Sequence, residues 1–364
     1  MTILPFQPER FLYGVLGDVH GDLPALVAAA DSVRARAAEN GREAFLFVLG
    51  DAIDRGRDSA GCAAFVMRLA RGLDPARRGT RLVFVRGDHD LGLSWNPDAR
   101  RFSSMVEPAD WAERLNALPP DDPERDVARD YIGFVRESPA AILLRGAGEG
   151  ILLAHGGVPH ADLLSGLDSI EAVGAPSCDR DFAWCRVASA RRKIPNRASL
   201  LCDIGLDDIS DFLNLLSRIV TGQNVGEADD IQHSAFSIRH FIHGHEHAAP
   251  GWISTPLRGG ATMWTATTFH AEENLFLPAI RPSVVLIKSH AESAEVVPHA
   301  EATEFAFHAE SAENTEVVPH AEFTVSAEFV GGASSSSEPQ NLDPPAQSAD
   351  DTAVAVVAGT ATTC

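Results

Sequence analysis

The chain has 364 residues, of which 45% are hydrophobic, and a formal net charge of −21 at pH 7. The acidic balance argues against a nucleic-acid-binding protein, because such proteins present basic surfaces to phosphates, and no apolar run approaches the ~20 residues that span a bilayer. Residues 1–10 lack the regions of a signal peptide, so we expect a cytoplasmic protein without nucleic-acid or membrane partners. The cysteines form no CxxC pair and are expected to be reduced: Cys62, Cys178, Cys185, Cys202 and Cys364.

The first ninety residues alternate between apolar runs of strand length and segments with helical spacing. Asp22 can cap the first helix, and Pro24 falls in its first turn, where proline is favoured. This alternation predicts parallel strands joined by helical crossovers. The predicted elements are strands at Phe11–Leu16, Ala44–Leu49 and Leu82–Val85 and helices at Leu23–Ala38 and 59–72.

Two insertions and four further strands follow. Residues 96–139 are rich in charge and proline and are predicted to be helical, whereas residues 160–235 contain a basic stretch at 191–193 and a predicted helix over 207–220. Insertions that follow strands commonly carry specificity. The further strands are predicted at Ile151–Ala154, Ile238–Ile242, Thr262–Thr268 and Ser283–Lys288, the last two completing a second sheet.

The composition changes after Lys288. Residues 289–364 contain thirteen acidic residues and no Lys or Arg, repeat the tripeptide His-Ala-Glu, and end in a segment rich in Ser and Pro. One sign of charge, low complexity and no amphipathic period are typical of disorder. We therefore predict one domain over residues 1–288 and a disordered acidic tail over residues 289–364.

Residues that commonly bind metals follow five of the predicted strands directly. The carboxyl ends of strands are where an open α/β sheet places its ligand crevice. Carboxylate and imidazole together suit divalent metals such as Zn, Mn, Fe and Ni, so the pattern predicts a dinuclear metal hydrolase. The segments are Gly17-Asp18-Val19-His20-Gly21, Gly50-Asp51-Ala52-Ile53-Asp54-Arg55-Gly56, Arg86-Gly87-Asp88-His89-Asp90, His155-Gly156-Gly157 and Gly244-His245-Glu246-His247.

The five motifs, in this order, resemble those of the calcineurin-like metallophosphoesterases. The DRG triplet at 54–56 and the HGG triplet at 155–157 resemble the phosphoprotein phosphatase (PPP) branch. The resemblance covers roughly Phe11 to Lys288 and makes residues 1–288 the catalytic domain. It implies an α/β fold in which a β-sandwich of mixed sheets is flanked by helices, with the active site at the carboxyl ends of the strands.

The resemblance also implies two divalent metal ions, with Mn²⁺ favoured and Fe, Zn or Ni as alternatives. Two ions about 3.5–4 Å apart clamp the attacking and leaving oxygens of a phosphate ester and lower the pKa of a bound water to about 7. The implied reaction is therefore hydrolysis of a phosphomonoester by a metal-bridging hydroxide. The implied ligands are Asp18 and His20 at one ion, with His247 as an additional ligand that the PPP branch usually lacks, Asp88, His155 and His245 at the other ion, and Asp51 as the bridge.

Four residues match positions beside the site in this family. His89 would protonate the leaving group, and Asp54 would raise its pKa and fix its tautomer. Arg55 would clamp the phosphate, because a guanidinium binds phosphate bidentately, and Arg86 would lie nearby. Other expectations are a second clamp from Arg197 or Arg239, a supporting or surface role for His243, ordinary surface or loop positions for His160 and His270, and packing near the site for Trp184.

Asp88 departs from the family pattern, which has Asn at this position. A charged ligand should bind the metal more tightly, reduce its Lewis acidity and repel the substrate dianion. The favoured function is hydrolysis of a phosphorylated protein or a small phosphoester, with phosphoserine or phosphothreonine preferred. The alternatives are a dinucleoside tetraphosphate hydrolase, which would need aromatic residues to stack nucleobases, and a low-activity pseudophosphatase acting as a binding module, which Asp88 favours.

Overall fold

The computed structural model describes residues 1–193, 202–223, 236–248, 252–269, 283–289 and 323–329. The chain divides into two units, Met1–Val330 and Gly331–Cys364. The second unit, and most of the predicted tail, lie outside the described residues. None of the helices within these ranges combines the length and the apolar character that crossing a bilayer requires.

The predicted strands and helices are present in the predicted order, together with further elements that the sequence analysis did not assign. The strands are β1 (Thr2–Pro5), β2 (Phe11–Leu16), β3 (Glu43–Val48), β4 (Arg81–Phe84), β5 (Ser94–Asn96), β6 (Arg101–Ser103), β7 (Ala141–Arg145), β8 (Glu149–Ala154), β9 (Cys185–Val187), β10 (Cys202–Ile204), β11 (Ser237–His243), β12 (Trp252–Pro256), β13 (Thr262–Ala266), β14 (Ser283–Ser289) and β15 (Phe323–Phe329). The helices are α1 (Leu23–Glu39), α2 (Ser59–Ala70), α3 (Asp88–Gly92), α4 (Asp110–Ala117), α5 (Pro123–Glu137), α6 (Ala161–Leu164), α7 (Ile170–Val173), α8 (Pro176–Trp184) and α9 (Leu206–Thr221).

The first sheet has the strand order β15-β14-β2-β3-β4. Strands β2, β3 and β4 are parallel, as predicted, and α1 and α2 connect them. Helix α1 begins where the sequence indicates, because the Asp22 carboxylate accepts a hydrogen bond from the Ala25 backbone N–H. Helices α1, α2, α4 and α5 bury their apolar faces in one hydrophobic cluster with this sheet.

The second sheet has the strand order β1-β7-β8-β11-β13-β12, with parallel pairing of β8, β11 and β13. Helices α8 and α9 share a hydrophobic cluster with this sheet. A third cluster combines side chains of both sheets, so it is the centre of a sandwich. These observations confirm the predicted fold of mixed sheets flanked by helices. The central cluster includes Phe11, Tyr13, Phe47, Ile151, Ile242 and Trp264.

Strands β14 and β15 correct two details of the prediction. Strand β13 belongs to the second sheet as expected, but β14 joins the first sheet by antiparallel pairing with β2. Strand β15 pairs with β14 over seven residues, although the sequence analysis assigned this segment to the disordered tail. Its sequence, FTVSAEF, alternates apolar and polar residues with the two-residue period of a strand.

The cysteines correct a third expectation. Cys62 and Cys178 are free and buried, but Cys185 is disulfide-bonded. Strand β9 pairs in parallel with β10, which places the backbone of Cys185 opposite that of Cys202. Spacing along the chain did not reveal this juxtaposition, because it arises from pairing across the second insertion.

Candidate metal centre

The loops that follow five strands converge at one edge of the sandwich. Asp18 and His20 follow β2, Asp51 follows β3, and the Asp88 side chain lies at the start of α3 after β4. His155 follows β8, and the histidines at 245 and 247 follow β11. An added Cβ at Gly17 would lie 1.8 Å from the Ala266 carbonyl oxygen, so only glycine allows β2 and β13 to approach this closely.

One group of donors combines two carboxylates and two imidazoles: Asp51, Asp88, His155 and His245. One potential ligand atom from each of these residues lies within 4.8 Å of the others. His155 Nε2 lies 3.2 Å from Asp88 Oδ1 and 3.5 Å from Asp51 Oδ1. His245 Nδ1 lies 3.3 Å from Asp88 Oδ1, and its side chain is 4% exposed.

A second group consists of Asp18, His20 and His247. Asp18 Oδ2 lies 3.7 Å from His20 Nε2 and 3.3 Å from His247 Nε2. Asp51 also faces this group, because its Oδ2 lies 3.6 Å from His20 Nε2. His20, Asp51 and His89 form a third, overlapping group, in which one potential ligand atom of each residue also lies within 4.8 Å of the others.

The donors fit divalent metal ions on two observations. Among the described residues, three buried polar atoms, Asp18 Oδ2, His20 Nε2 and His245 Nε2, find no hydrogen-bond partner, although such atoms are costly to leave unpaired. The opposite ring nitrogens of two histidines are held by backbone carbonyls: His155 Nδ1 lies 2.6 Å from Leu49 O, and His20 Nδ1 lies 3.1 Å from Ile53 O. This arrangement directs Nε2 of both rings into the cluster, as in metal sites.

The pKa values of the donors show how strongly the buried charges interact. Burial raises the pKa of Asp51, and the charges of Asp88 and Asp18 raise it further against the opposing effect of His155. Burial also acts to raise the pKa of Asp88, but hydrogen bonds with His155 and His245 outweigh it and hold the pKa below its usual range. Three buried carboxylates therefore meet here, and positive charge would stabilise all of them.

The histidine pKa values differ according to their neighbours. Burial lowers the pKa of His20, and the Arg55 charge lowers it further, despite the nearby Asp18. Burial acts in the same direction on His155, but the carboxylates of Asp51 and Asp88 outweigh it and raise its pKa. A neutral His20 is the form that binds a metal.

His89, Asp54 and Arg55 lie beside the donor groups. Asp54 Oδ2 is 2.9 Å from His89 Nδ1, and the other oxygen accepts a hydrogen bond from the Trp111 backbone N–H at 2.9 Å. The exposed Arg55 guanidinium lies 3.2 Å from His89 Nε2 and 2.9 Å from His247 Nε2. A cation thus stands at the open side of an otherwise buried cluster.

Arg86, which was expected beside the site, pairs with a carboxylate of α8. Its guanidinium pairs with the Asp179 carboxylate at 2.6 Å and donates to the Arg136 carbonyl at 3.5 Å. These contacts link β4 to α5 and α8, and no contact of this side chain with the donor residues is seen in the described part of the chain. Arg239 donates to the Gly259 carbonyl at 3.0 Å, and Arg197 lies outside the described residues.

Two histidines for which a surface position was one of the expected alternatives are buried. His160 is fully buried, and its Nε2 lies 2.7 Å from the Asp203 carbonyl oxygen of β10, because the second insertion folds over it. His243 is also fully buried, with Nε2 2.9 Å from Thr265 Oγ1 and Nδ1 3.1 Å from Glu246 Oε2, so only its supporting role remains. His270 lies outside the described residues, and Trp184 is buried at the end of α8.

Two carboxylates with supporting positions were not assigned from the sequence. Glu246 accepts a hydrogen bond from the Val187 N–H at 2.6 Å, which ties the 244–247 loop to β9. Asp90 accepts hydrogen bonds from the backbone N–H groups of Asp51 and Ala52 and from the Tyr131 hydroxyl. Both carboxylates lie within the metal-binding motifs, and that position was the available signal.

The sandwich, with paired Asp/His donor groups at its strand ends, defines a metal-dependent hydrolase. The sequence model of the calcineurin-like phosphoesterase family matches residues 11–249, and the chain belongs to this family. It is accordingly a phosphoric ester hydrolase. A search of curated proteins finds no match.

Several solved structures resemble this fold. A serine/threonine phosphatase of Saccharomyces cerevisiae shares 15% identity, with 79% of this chain and 76% of that chain covered and a TM-score of 0.48. A cold-active protein-tyrosine phosphatase of a psychrophilic Shewanella shares 15% identity, with 79% and 77% covered and a TM-score of 0.42. A putative diadenosine tetraphosphatase shares 14% identity, with 78% and 92% covered and a TM-score of 0.36. Likenesses at this level do not identify a substrate.

Proposed function

We propose that this protein is a metal-dependent phosphomonoesterase that removes phosphate from phosphoserine or phosphothreonine in proteins. One observation carries the proposal: the two oxygens of Asp51 face different donor groups, Oδ1 towards His155 at 3.5 Å and Oδ2 towards His20 at 3.6 Å. A shared carboxylate of this kind is what a pair of metal ions requires.

The donor groups define two proposed ion sites. Asp18, His20 and His247 would hold one ion, Asp88, His155 and His245 the other, and Asp51 would contribute to both. Mixed imidazole and carboxylate ligands suit Mn²⁺, which we propose, and also Fe, Zn and Ni. When bound, the ions would supply positive charge for the phosphate oxygens and acidify a water molecule.

Arg55 would bind the phosphate group. Its guanidinium is exposed at the mouth of the site and can form two parallel hydrogen bonds with phosphate oxygens. Without substrate it donates to the ring nitrogens of His89 and His247. Rotation of Arg55 towards a phosphate would free His89 Nε2 from this hydrogen bond. The freed nitrogen would then be available to the leaving oxygen of the substrate.

His89 would then donate the proton that the leaving group requires. Asp54 accepts the hydrogen bond from Nδ1–H, which leaves Nε2 as the nitrogen that exchanges a proton with the substrate. Both side chains are buried, with 1% and 2% exposure, so water does not compete for their hydrogen bond. The pair is thereby suited to general acid catalysis on an alkyl ester such as phosphoserine.

The choice of a phosphoprotein substrate rests on the resemblance of the DRG and HGG triplets to the PPP branch. Two stacking surfaces for nucleobases would favour a dinucleoside tetraphosphate instead. In the described residues, the large hydrophobic side chains that are exposed are Leu73, Met105 and Ile253, and none of them is aromatic. The aromatic ring packed on His20 and His247, that of Phe269, is 5% exposed and thus covered.

A substrate panel tests this proposal. Mn²⁺-loaded protein is assayed on a phosphoserine peptide, p-nitrophenyl phosphate and a dinucleoside tetraphosphate. We expect the highest kcat/KM on the phosphopeptide and measurable turnover of the aryl phosphate. Faster cleavage of the dinucleoside polyphosphate would contradict the proposed substrate class.

Asp88 supports a second candidate, a weakly active protein that binds phosphoproteins. Its carboxylate adds a negative charge to a site that already contains Asp18 and Asp51, and this charge opposes an incoming dianion. Binding of the phosphopeptide without turnover of any phosphomonoester in the same panel would favour this candidate.

A further inference from the structure

Asp90 lies behind the donor groups and accepts four hydrogen bonds. Its Oδ2 accepts from the backbone N–H groups of Asp51 at 2.7 Å and Gly87 at 3.0 Å. Its Oδ1 accepts from the Ala52 N–H at 3.1 Å and from the Tyr131 hydroxyl at 2.7 Å. All four partners donate, so both oxygens of the carboxyl group act as acceptors.

The fourth donor comes from the first insertion. Tyr131 lies in α5, is fully buried, and packs with Phe84 and Trp111. The four donors around the Asp90 carboxylate are called the Asp90 cage below. The Tyr131 hydroxyl is the side-chain donor among them, whereas the other three are backbone N–H groups of the loops that carry the proposed ligands. The Tyr131 phenol therefore gives helix α5 a direct hydrogen bond to the carboxylate behind the donor groups.

The cage holds the backbone that orients Asp51. This residue has a φ of +48°, a left-handed conformation that is unfavourable for a side chain other than glycine. Its N–H donates to Asp90, and its Oδ1 accepts from the His89 N–H at 3.0 Å. Asp90 thus stabilises the turn that points the two oxygens of Asp51 at the two donor groups.

We infer that Tyr131, acting through Asp90, is a positioning residue for Asp51, so that the first insertion sets the affinity of the site for metal ions. This inference rests on the proposed function. Loss of the hydroxyl would leave Asp90 Oδ1 with the Ala52 N–H as its one remaining donor in the cage. The carboxylate would then rotate more freely, and the Asp51 turn would lose part of its support.

The chain provides a matched control, because it has two tyrosines and both are buried. The Tyr13 hydroxyl accepts a hydrogen bond from the Gln7 N–H at 2.8 Å, far from the Asp90 cage in the hydrogen-bond network. Tyr131→Phe and Tyr13→Phe therefore each remove one hydrogen bond of a buried tyrosine. If the Tyr131 hydroxyl had a purely structural role, both substitutions would lower stability and the two variants would bind the metal with the same affinity.

The experiment is a titration of the metal-free full chain with Mn²⁺ by calorimetry. We expect Tyr131→Phe to weaken Mn²⁺ binding by about 10–100-fold, the usual effect of losing a residue that supports a ligand, and Tyr13→Phe to bind like the wild type. Equal affinities in the two variants would overturn the inference. A wild-type protein that binds no Mn²⁺ would instead overturn the proposed function, and the inference with it.

A measurement on the unsubstituted chain covers the case in which Tyr131→Phe does not fold. Labelling with 3-fluorotyrosine gives two ¹⁹F resonances, one for each tyrosine. Addition of Mg²⁺ or Zn²⁺, as diamagnetic probes, should shift the Tyr131 resonance and leave the Tyr13 resonance in place. Metal binding that moves neither resonance, or moves both equally, would overturn the inference.

Discussion

Asp54 and His89 form a buried hydrogen-bonded pair, with Asp54 Oδ2 2.9 Å from His89 Nδ1. The Trp111 N–H at the start of α4 fixes the second oxygen of Asp54, so this carboxylate has one orientation available. The pair therefore leaves Nε2 as the nitrogen of His89 that would face the proposed substrate. This geometry supports a role for His89 as the general acid rather than as a further metal ligand.

The acid role predicts a substrate-dependent loss in His89→Asn. Hydrolysis of an alkyl phosphate should slow by about 10²–10⁴-fold, the usual contribution of general acid catalysis. An activated aryl phosphate should be affected less, because its leaving group departs without a proton. The measurement is kcat on a phosphoserine peptide and on p-nitrophenyl phosphate, and equal losses on both would count against the role.

Asp88→Asn separates metal affinity from rate. The variant loses a negative ligand, so Mn²⁺ affinity should fall by at least the ~10-fold that accompanies loss of an outer-sphere partner. At saturating Mn²⁺ turnover should rise, because less charge opposes the dianion and the ion is a stronger Lewis acid. Turnover is measured against Mn²⁺ concentration, and a variant slower at every concentration would refute this account.

The pairing of β14 with β15 predicts the effect of two truncations. A chain ending at residue 330 retains β15 and should unfold at the same temperature as the full chain. A chain ending at residue 288 exposes the edge of β14, and its midpoint should fall by roughly 2–4 °C for each kcal/mol lost. Equal midpoints for the two truncated chains, measured by circular dichroism, would show that β15 adds no stability.

His240 predicts a pH dependence of stability. Burial and the Arg239 charge lower its pKa to about 4, below the unfolded value of about 6.5. As the pH falls from 6.5 towards 4, the unfolded chain binds a proton that the folded chain does not, so stability decreases and is fully retained only above that range. For the half-buried ring, the loss between pH 7.5 and 5 is at most about 2 kcal/mol.

The measurement for His240 is urea unfolding of metal-free protein at both pH values. His240→Gln cannot titrate, and it should show a smaller loss than the wild type. Identical losses in the two proteins would mean that the folded pKa is not depressed.

Local patterns in the sequence were enough to predict that the proposed ligands lie close together. Each follows an apolar run, and parallel strands necessarily place such residues at one edge. The sheet to which β14 belongs was not predictable, because an apolar run carries no information about its partner strand. The burial of His160 and the pairing of Arg86 with Asp179 were missed for a related reason: both depend on how the second insertion folds back over the sheet.

Local sequence patterns also could not predict the hydrogen bonds that support the donor groups from behind. Asp90 is the last residue of the third motif, but its partner Tyr131 lies 41 positions further along the chain. Nothing in the sequence of α5 distinguishes this tyrosine from an ordinary core residue. The contact exists because α5 packs against the first sheet beside the end of β4.

Metal content and turnover of Asp51→Asn test the central claim most directly. Asp22→Asn makes the same chemical change at the cap of α1, where Asn serves as well as Asp, and is the matched control. We predict two bound Mn²⁺ ions per chain in the wild type and in Asp22→Asn, and loss of both metal and phosphopeptide turnover in Asp51→Asn. An Asp51→Asn protein that keeps two ions and near-normal turnover would contradict the account.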